Sequence, residues 1–234
     1  DNVLEYIKNI YNKFEIIIID NSKDKNLEKV ITENYPKINL KFVENKGYGA
    51  AINFGSRFIK TDYFIVSNPD IKGLNENKIL KFLDASAYLN NNFSVLGPRF
   101  LNVNSKSHKQ SINNNDLAEM KFLSGACMFF FKKNFDEIGG FDENFFLYFE
   151  ENDFCLRSHK IYKNYQANNI QIEHNVGQSV KTENINEEIK LKNLRSWHFI
   201  WSKFYYHKKH YGFLYSILYL LPTIIRIQAR ICYY

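Results

Sequence analysis

Phe14-Glu15-Ile16-Ile17-Ile18-Ile19-Asp20-Asn21-Ser22 is the stretch from which the architecture is read. Four isoleucines in a row predict a strand buried on both faces, the pattern of a parallel sheet covered by helices. The strand ends in Asp-Asn-Ser, a polar turn at its C-terminal edge, where open α/β sheets bind ligands. The same residues suit an Asx turn capping a helix expected near Leu27 to Glu33, and the two roles are compatible.

Working outward, Val3, Leu4, Ile7, Ile10 and Tyr11 stand near helical spacing and predict a helix over residues 1–13. Leu40 to Val43 reads as a second strand, followed by Glu44-Asn45-Lys46-Gly47-Tyr48-Gly49-Ala50-Ala51-Ile52-Asn53-Phe54-Gly55. Its small residues let a backbone approach a phosphate or sugar and then open a helix. No G-K-[ST] follows, so this is not a Walker A loop, and a plain strand-to-helix turn explains it equally. Asp62 to Ser67 predicts a third strand that delivers Asn68-Pro69-Asp70, where the proline fixes the turn and Asp70 can face outward toward a divalent cation. A helix cap is the alternative role for Asp70.

Residues 74–90 predict a helix, and Phe93 to Leu101 a strand interrupted by Gly97-Pro98. Asn102 to Asp116, rich in Asn, Ser and Lys, reads as a surface loop. Phe122 to Phe131 predicts another buried strand, and Tyr165 to His174 one that ends in a histidine. As a metal ligand His174 needs a partner, and Asp70 is the candidate. Lys181 to Glu188 reads as a charged loop, and Lys192 to Lys209 as a helix in which basic residues interleave with Trp197, Phe199, Trp201, Phe204 and Tyr205. Tyr211 to Arg226 is apolar for about the length of a short core helix, below the roughly 20 residues that span a bilayer. With Lys208, Lys209, Arg226 and Arg230 beside it, it suits an interfacial anchor; a core helix or partner interface is the alternative.

At 234 residues and 45% apolar content, the chain can bury one α/β core with a small C-terminal appendage. A net charge of +6 points to anionic partners such as nucleotide diphosphates or anionic lipid. The lysines are scattered and no nucleic-acid motif is present, which argues against nucleic acid. The three cysteines, Cys127, Cys155 and Cys232, form no C-x-x-C pair and fit a reducing compartment.

The chemistry is expected in Gly139-Gly140-Phe141-Asp142-Glu143-Asn144-Phe145-Phe146-Leu147-Tyr148-Phe149-Glu150-Glu151-Asn152-Asp153-Phe154-Cys155-Leu156-Arg157. Burial and like-charged neighbours raise a carboxylate's pKa, which makes a base that works near neutrality. From Glu151 the pattern turns helical, with Phe154, Ser158, Ile161 and Tyr165 on one stripe and the acids in the first turn, where the helix dipole favours them. Simple N-terminal helix acids and an Asp153–Arg157 surface pair describe the same residues.

The order Asp-Asn-Ser after a strand, Asn-x-Gly-x-Gly-x-x-x-Asn-x-Gly, Asn-Pro-Asp, Ser-Gly-Ala, the acidic block and then His resembles the family 2 inverting glycosyltransferases of the GT-A fold, and most of all their rhamnosyltransferase-like bacterial branch. The resemblance covers roughly Leu4 to Lys209. It implies an α/β, Rossmann-like, mostly parallel sheet flanked by helices, a catalytic domain over residues 1–190 and a helical extension over 191–234. It also implies that Asp20 and Asn21 contact the base of a dTDP- or UDP-sugar, that Asn45, Gly47, Asn53 and Asn68 line the donor pocket, and that Asp70 and His174 hold Mg²⁺ or Mn²⁺. Asn68 stands where the family often has an acid, so the ligand set is one charge short. Glu151 falls on the base, with Glu150 and Asp153 orienting base or acceptor. The family's first strand is expected ahead of Asp1. A cytoplasmic enzyme of bacterial surface-polysaccharide synthesis follows, peripheral on the inner membrane face through residues 208–230 and acting on a glycan or lipid-linked acceptor. The competing reading is a non-catalytic carbohydrate- or membrane-binding module on the same fold.

Overall fold

The computed structural model describes residues 8, 10–22, 24–103, 110, 111, 115–175 and 184–232, with side-chain surroundings up to Arg226. In chain order the elements are β1 (Ile17–Asp20), α1 (Lys25–Asn34), β2 (Asn39–Phe42), α2 (Tyr48–Ser56), β3 (Tyr63–Ser67), β4 (Ile71–Lys72), α3 (Glu76–Tyr88) and β5 (Val95–Phe100). There follow β6 (Leu117–Met120), β7 (Cys127–Phe131), α4 (Lys132–Ile138), α5 (Glu150–Ser158), β8 (Asn164–His174), α6 (Ile185–Tyr211) and α7 (Phe213–Cys232).

β1 and β2 pair in parallel as a sheet of two strands, and the other six strands form a second sheet in which β3-β7-β5-β8-β4 are neighbours and β6 adds to β8. The expected mixture of helices and sheet is present, but four of the six ladders are antiparallel. Two of these are β4 and β6 against β8, and the other two come from β7, which inserts against the direction of both β3 and β5. That pairing sets Phe64 opposite Phe130 and Tyr63 opposite Phe131, with ring centroids 5.0 Å and 5.4 Å apart. Such cross-strand aromatic pairs stabilise a sheet by up to about 1 kcal/mol each.

Strand alternation along β7 builds the two main cores. Cys127 and Phe129 enter one, with Phe82, Phe93, Leu96 and Ile170; Met128 and Phe130 enter the other, with Phe135, Phe141 and Phe154. The second core lies under the acidic segment, which Phe141 and Phe154 anchor in it. The isoleucines of β1 are half-buried, not buried on both faces, because β1 belongs to the two-stranded sheet.

Other expectations shift locally. Gly97-Pro98 does not interrupt β5; the strand runs through it with a register shift at Pro98/Arg99 against β8. The last strand before the acids starts at Cys127, not Phe122. Residues 185–188 are helical and not loop, since the Asn184 side chain accepts from Glu187 N at 3.0 Å and caps α6. α5 stops at Ser158, so Ile161 and Tyr165 are not on its stripe: His159 ends the helix and Asn164 already begins β8. Of the helix expected over 1–13, most lies outside the described residues, and residues 10–14 form a turn with Lys13 N and Phe14 N donating to Ile10 O. The loop over 102–116 and the segment 181–183 lie largely outside them as well.

Candidate active site

The acids of α5 stand where a helix begins, and unpaired N–H groups make that end attractive to negative charge. The chain reaches it through an uncommon backbone. Tyr148 and Phe149 have φ of 69° and 68°, consecutive left-handed residues that carry side chains. That conformation costs about 1–2 kcal/mol per residue. It is held from outside by α6, where Phe199 packs on both rings at 5.7 Å and 5.6 Å and Tyr206 lies 5.4 Å from Phe149.

The kink turns Glu150 and Glu151 toward Gly125 and Tyr48. A Cβ on Gly125 would lie 3.5 Å from that of Glu151 and 3.6 Å from the Tyr48 ring, so this backbone forms one wall. Tyr48 Oη donates to Gly125 O at 2.7 Å. Burial first, then the charge of Glu150 with smaller contributions from Glu151 and Asp70, pushes that hydroxyl's pKa far up. Tyr48 therefore stays protonated, as the donor in this contact. Glu150 is buried and Glu151 half-buried, so Glu151 is the acid of the pair with more access to solvent.

Asp70 and His174 are brought together by the β4–β8 ladder, in which Ile71 is opposite His174 and Asn175 N donates to Asp70 O at 3.0 Å. His174 Nε2 lies 3.2 Å from Asp70 Oδ1. Asp70 does not face outward as expected: it is 1% exposed, covered by the start of β4 and by His174. Neighbouring ligands on an octahedral ion with bonds near 2.1 Å are about 3 Å apart, so one carboxylate and one imidazole at this spacing fit two positions of such a site. An imidazole suits Mn²⁺ better than Mg²⁺, which prefers oxygen. Among the described residues no cluster of three or more His, Cys, Asp or Glu is arranged to hold a metal, so the remaining ligands would have to come from elsewhere.

The residues expected on the donor side divide. Asp20 accepts from Ser22 N at 2.7 Å, Ser22 Oγ at 2.6 Å and Asp24 N at 3.1 Å, which makes the Asx turn. Exposed Asn21 donates to Asn45 Oδ1 at 3.3 Å, linking the ends of β1 and β2. Asn68 follows β3, its N–H donating to Ala126 O at 2.9 Å. Gly47 and Asn53 are committed to the acidic segment instead. A Cβ on Gly47, whose φ is 105°, would run into the Phe146 carbonyl. Asn53 exchanges two bonds with the backbone of Phe141, at 2.8 Å and 2.9 Å, and donates to Glu143 at 3.0 Å. Their role in this structure is to brace the segment.

Asp153 is 0% exposed and cannot touch an acceptor. Its carboxylate is closed in by Arg157 Nε at 2.8 Å, Lys209 Nζ at 2.7 Å and His210 Nε2 at 2.8 Å. The Arg157 guanidinium also donates to Ile138 O at 2.8 Å and Gly140 O at 2.6 Å, pinning the double-glycine turn. Lys209 reaches Asp142 as well, at 2.6 Å. Burial opposes the charge of Asp142, but Lys209 and two bonds from Asn144 outweigh it and hold the carboxyl at about 2. Asp153 is thus a tie between α5 and α6. Tyr48 lies inside a stretch already marked for its glycines; Lys209 and His210, far along the chain, gave no local signal.

An α/β sheet flanked by helices, with acids gathered at the start of α5 and α6 strapped across them, is the GT-A fold. The chain belongs to glycosyl transferase family 2, whose model matches residues 1–139. It is 25% identical over 185 residues to the low-salt glycan biosynthesis hexosyltransferase Agl10 of Haloferax volcanii, a match that takes in 67% of this chain and 58% of that protein. Among solved structures, the mannosyltransferase PcManGT of Pyrobaculum calidifontis in complex with GDP-Man and Mn²⁺ superposes with a TM-score of 0.64 at 13% identity, covering 89% of this chain and 60% of that one. S. aureus TarS 1–349 gives 0.52 at 18% identity, covering 71% and 58%. At these identities the two structures establish the fold.

Proposed function

We propose that the chain transfers a hexose, with rhamnose the expected sugar, from a dTDP- or UDP-sugar to a hydroxyl of a glycan or lipid-linked acceptor with inversion. The setting we propose is surface-polysaccharide synthesis at the cytoplasmic face of a membrane. The observation that carries this reading is half-buried Glu151 at the start of α5, set beside Glu150 against Tyr48 and the Gly125 backbone, with the Asp70–His174 contact as the candidate metal ligands. Family membership and the relative's hexosyltransferase activity support it. GDP-Man and Mn²⁺ in one structural neighbour, and UDP in another, support a nucleotide-sugar donor.

Glu151 takes the proton of the acceptor hydroxyl, and that oxygen attacks the anomeric carbon from the face opposite the nucleotide. The bond to the diphosphate breaks as the new one forms, its electron pair leaves with the diphosphate, and a single displacement inverts the centre. Asp70 and His174 would hold a divalent ion, whose chemistry when bound is to neutralise charge on the diphosphate. Tyr48 and the wall at Gly125 limit where the acceptor can sit, and the strap from α6 keeps Glu151 in place.

Calorimetric titration with dTDP, UDP and GDP, each with and without Mn²⁺, tests the donor half, and Glu151→Gln tests the chemistry. We expect Mn²⁺-dependent binding of a pyrimidine diphosphate that Asp70→Ala abolishes, and transfer that Glu151→Gln abolishes with binding intact. Binding of none of the three, or full transfer by Glu151→Gln, overturns the reading.

A further inference from the structure

α6 presents two stripes with different fates. His198, Ser202, Tyr205, Tyr206 and Lys209 recur at helical spacing and face the acidic segment: Ser202 Oγ donates to Leu147 O at 2.7 Å and Tyr205 packs on Phe145 at 4.8 Å. Trp197, Trp201, Phe204 and Lys208 form the neighbouring stripe, and Trp197 is 62% exposed. This second stripe runs on into α7 through ring contacts from Trp201 to Phe204 at 6.0 Å and from Phe204 to Phe213 at 6.2 Å.

α7 folds back along α6, with Tyr219 over both His207 and Lys203, and buries Ser216 and Leu220. The rest of its apolar surface has no cover among the described residues. Leu214 is 76% and Leu218 68% exposed, and Phe213, Ile217, Leu221, Ile224 and Ile225 are exposed beside them. An apolar face this continuous on a surface helix marks a docking site.

Charge selects the occupant. From Ile189 to Arg230 the sequence carries eight Lys or Arg and no Asp or Glu. Exposed Lys208 and Arg226 stand just beyond the two ends of the apolar run that begins at Phe213. No described helix is long and apolar enough to cross a membrane. A protein partner would need an apolar groove walled by acids, whereas an anionic bilayer surface supplies both features along its whole extent. We infer that the α6–α7 hairpin docks on an anionic lipid surface, α7 lying in the interface plane with Phe213, Leu214, Ile217, Leu218 and Leu221 among the acyl chains and cations at the headgroups.

The only two tryptophans of the chain, Trp197 and Trp201, both lie on this surface, so their emission reports on it alone. The test is emission and co-sedimentation of the purified chain with vesicles of phosphatidylcholine alone and with one third phosphatidylglycerol. We expect a blue shift and pelleting only with the anionic vesicles, and a tenfold or larger fall in partitioning for Leu214→Glu/Leu218→Glu. Lys208→Glu and Arg226→Glu should each cost about fivefold or more, since one basic residue at such a surface is worth about 1 kcal/mol. Leu214 and Leu218 are exposed, so unchanged melting confirms that the double variant folds. No binding to anionic vesicles, binding that the double variant leaves intact, or a dimer in sedimentation velocity that the double variant dissolves without any vesicle binding overturns the inference, the last in favour of a second copy.

Discussion

Between Asp142 and Asp153 the chain places acids that the fold uses in two opposite ways. Glu150 and Glu151 stand at the open end of α5, against Tyr48 and the Gly125 backbone. Asp142 and Asp153 are enclosed by Lys209, Arg157 and His210. All four are carboxylates in one conspicuous block. What fixes Asp142 and Asp153 is the counter-charge that a helix more than fifty residues downstream brings to them. An acidic motif is therefore partly architecture: Asp142 and Asp153 hold this block to α6 through these cations.

The sharpest way to break the comparison is to neutralise one acid of each kind. Glu151→Gln should lower turnover about a thousandfold, the loss of a positioned base, with the melting temperature unchanged. Asp153→Asn should do the reverse: it removes the buried charge that Arg157, Lys209 and His210 share and costs about 2–4 kcal/mol of stability, read by denaturant unfolding. Surviving folded enzyme should keep turnover within about tenfold. If Asp153→Asn is stable and inactive, the two acids do not differ as described.

Gly47→Ala probes what both pairs depend on. Its Cβ would meet the Phe146 backbone, and its positive φ adds strain, so a loss of about 2 kcal/mol or more is expected in thermal unfolding. Asp70→Ala and His174→Ala should each weaken Mn²⁺-supported nucleotide binding at least tenfold by calorimetry and leave melting without metal nearly unchanged.

The smallest effects are those of pH. The carboxyl of Asp142 binds its proton less readily folded than unfolded, so the unfolded chain takes up the proton first. Its contribution to stability is complete above the ordinary aspartate value near 4 and is lost as pH falls through about 2. Lys209→Met should flatten acid-unfolding curves in that window. The His207 pKa is lowered, first by burial and then by Lys203 and His210. Stability through the α6–α7 contact is thus present above pH about 6.5 and declines below it, which His207→Gln should abolish.

Much of the framework was legible because it rests on local pattern. The isoleucine strand, the glycine-rich entry to α2 and the strand ending at His174 all lie where periodicity and turn residues place them. The meeting of Asp70 with His174 was legible because each ends or follows a strand and a histidine ligand needs a second ligand nearby, a reading to which the resemblance added. The direction of β7 was not legible: a run of aromatics reads the same in either orientation, and its neighbours decide. Nor were the duties of Gly47, Asn53 and Asp153, which looked like ligand contacts because small and polar residues suit both a pocket and a brace. Burial and partners settle that choice, and both are properties of the folded chain.

The division of the strands into a pair and a sextet bears on cooperativity. An isolated two-stranded sheet is marginal in water, whereas β5, β7 and β8 are fastened on both sides and packed on two cores. Amide protons of β1 and β2 should therefore exchange through an opening of lower free energy than those of β7, as a unit of their own. Asp20, Asn21 and Asn45 ride on that unit. A ligand that needs them in place must supply the ordering free energy when it binds, and its arrival should slow exchange across β1 and β2 while leaving the aromatic centre untouched.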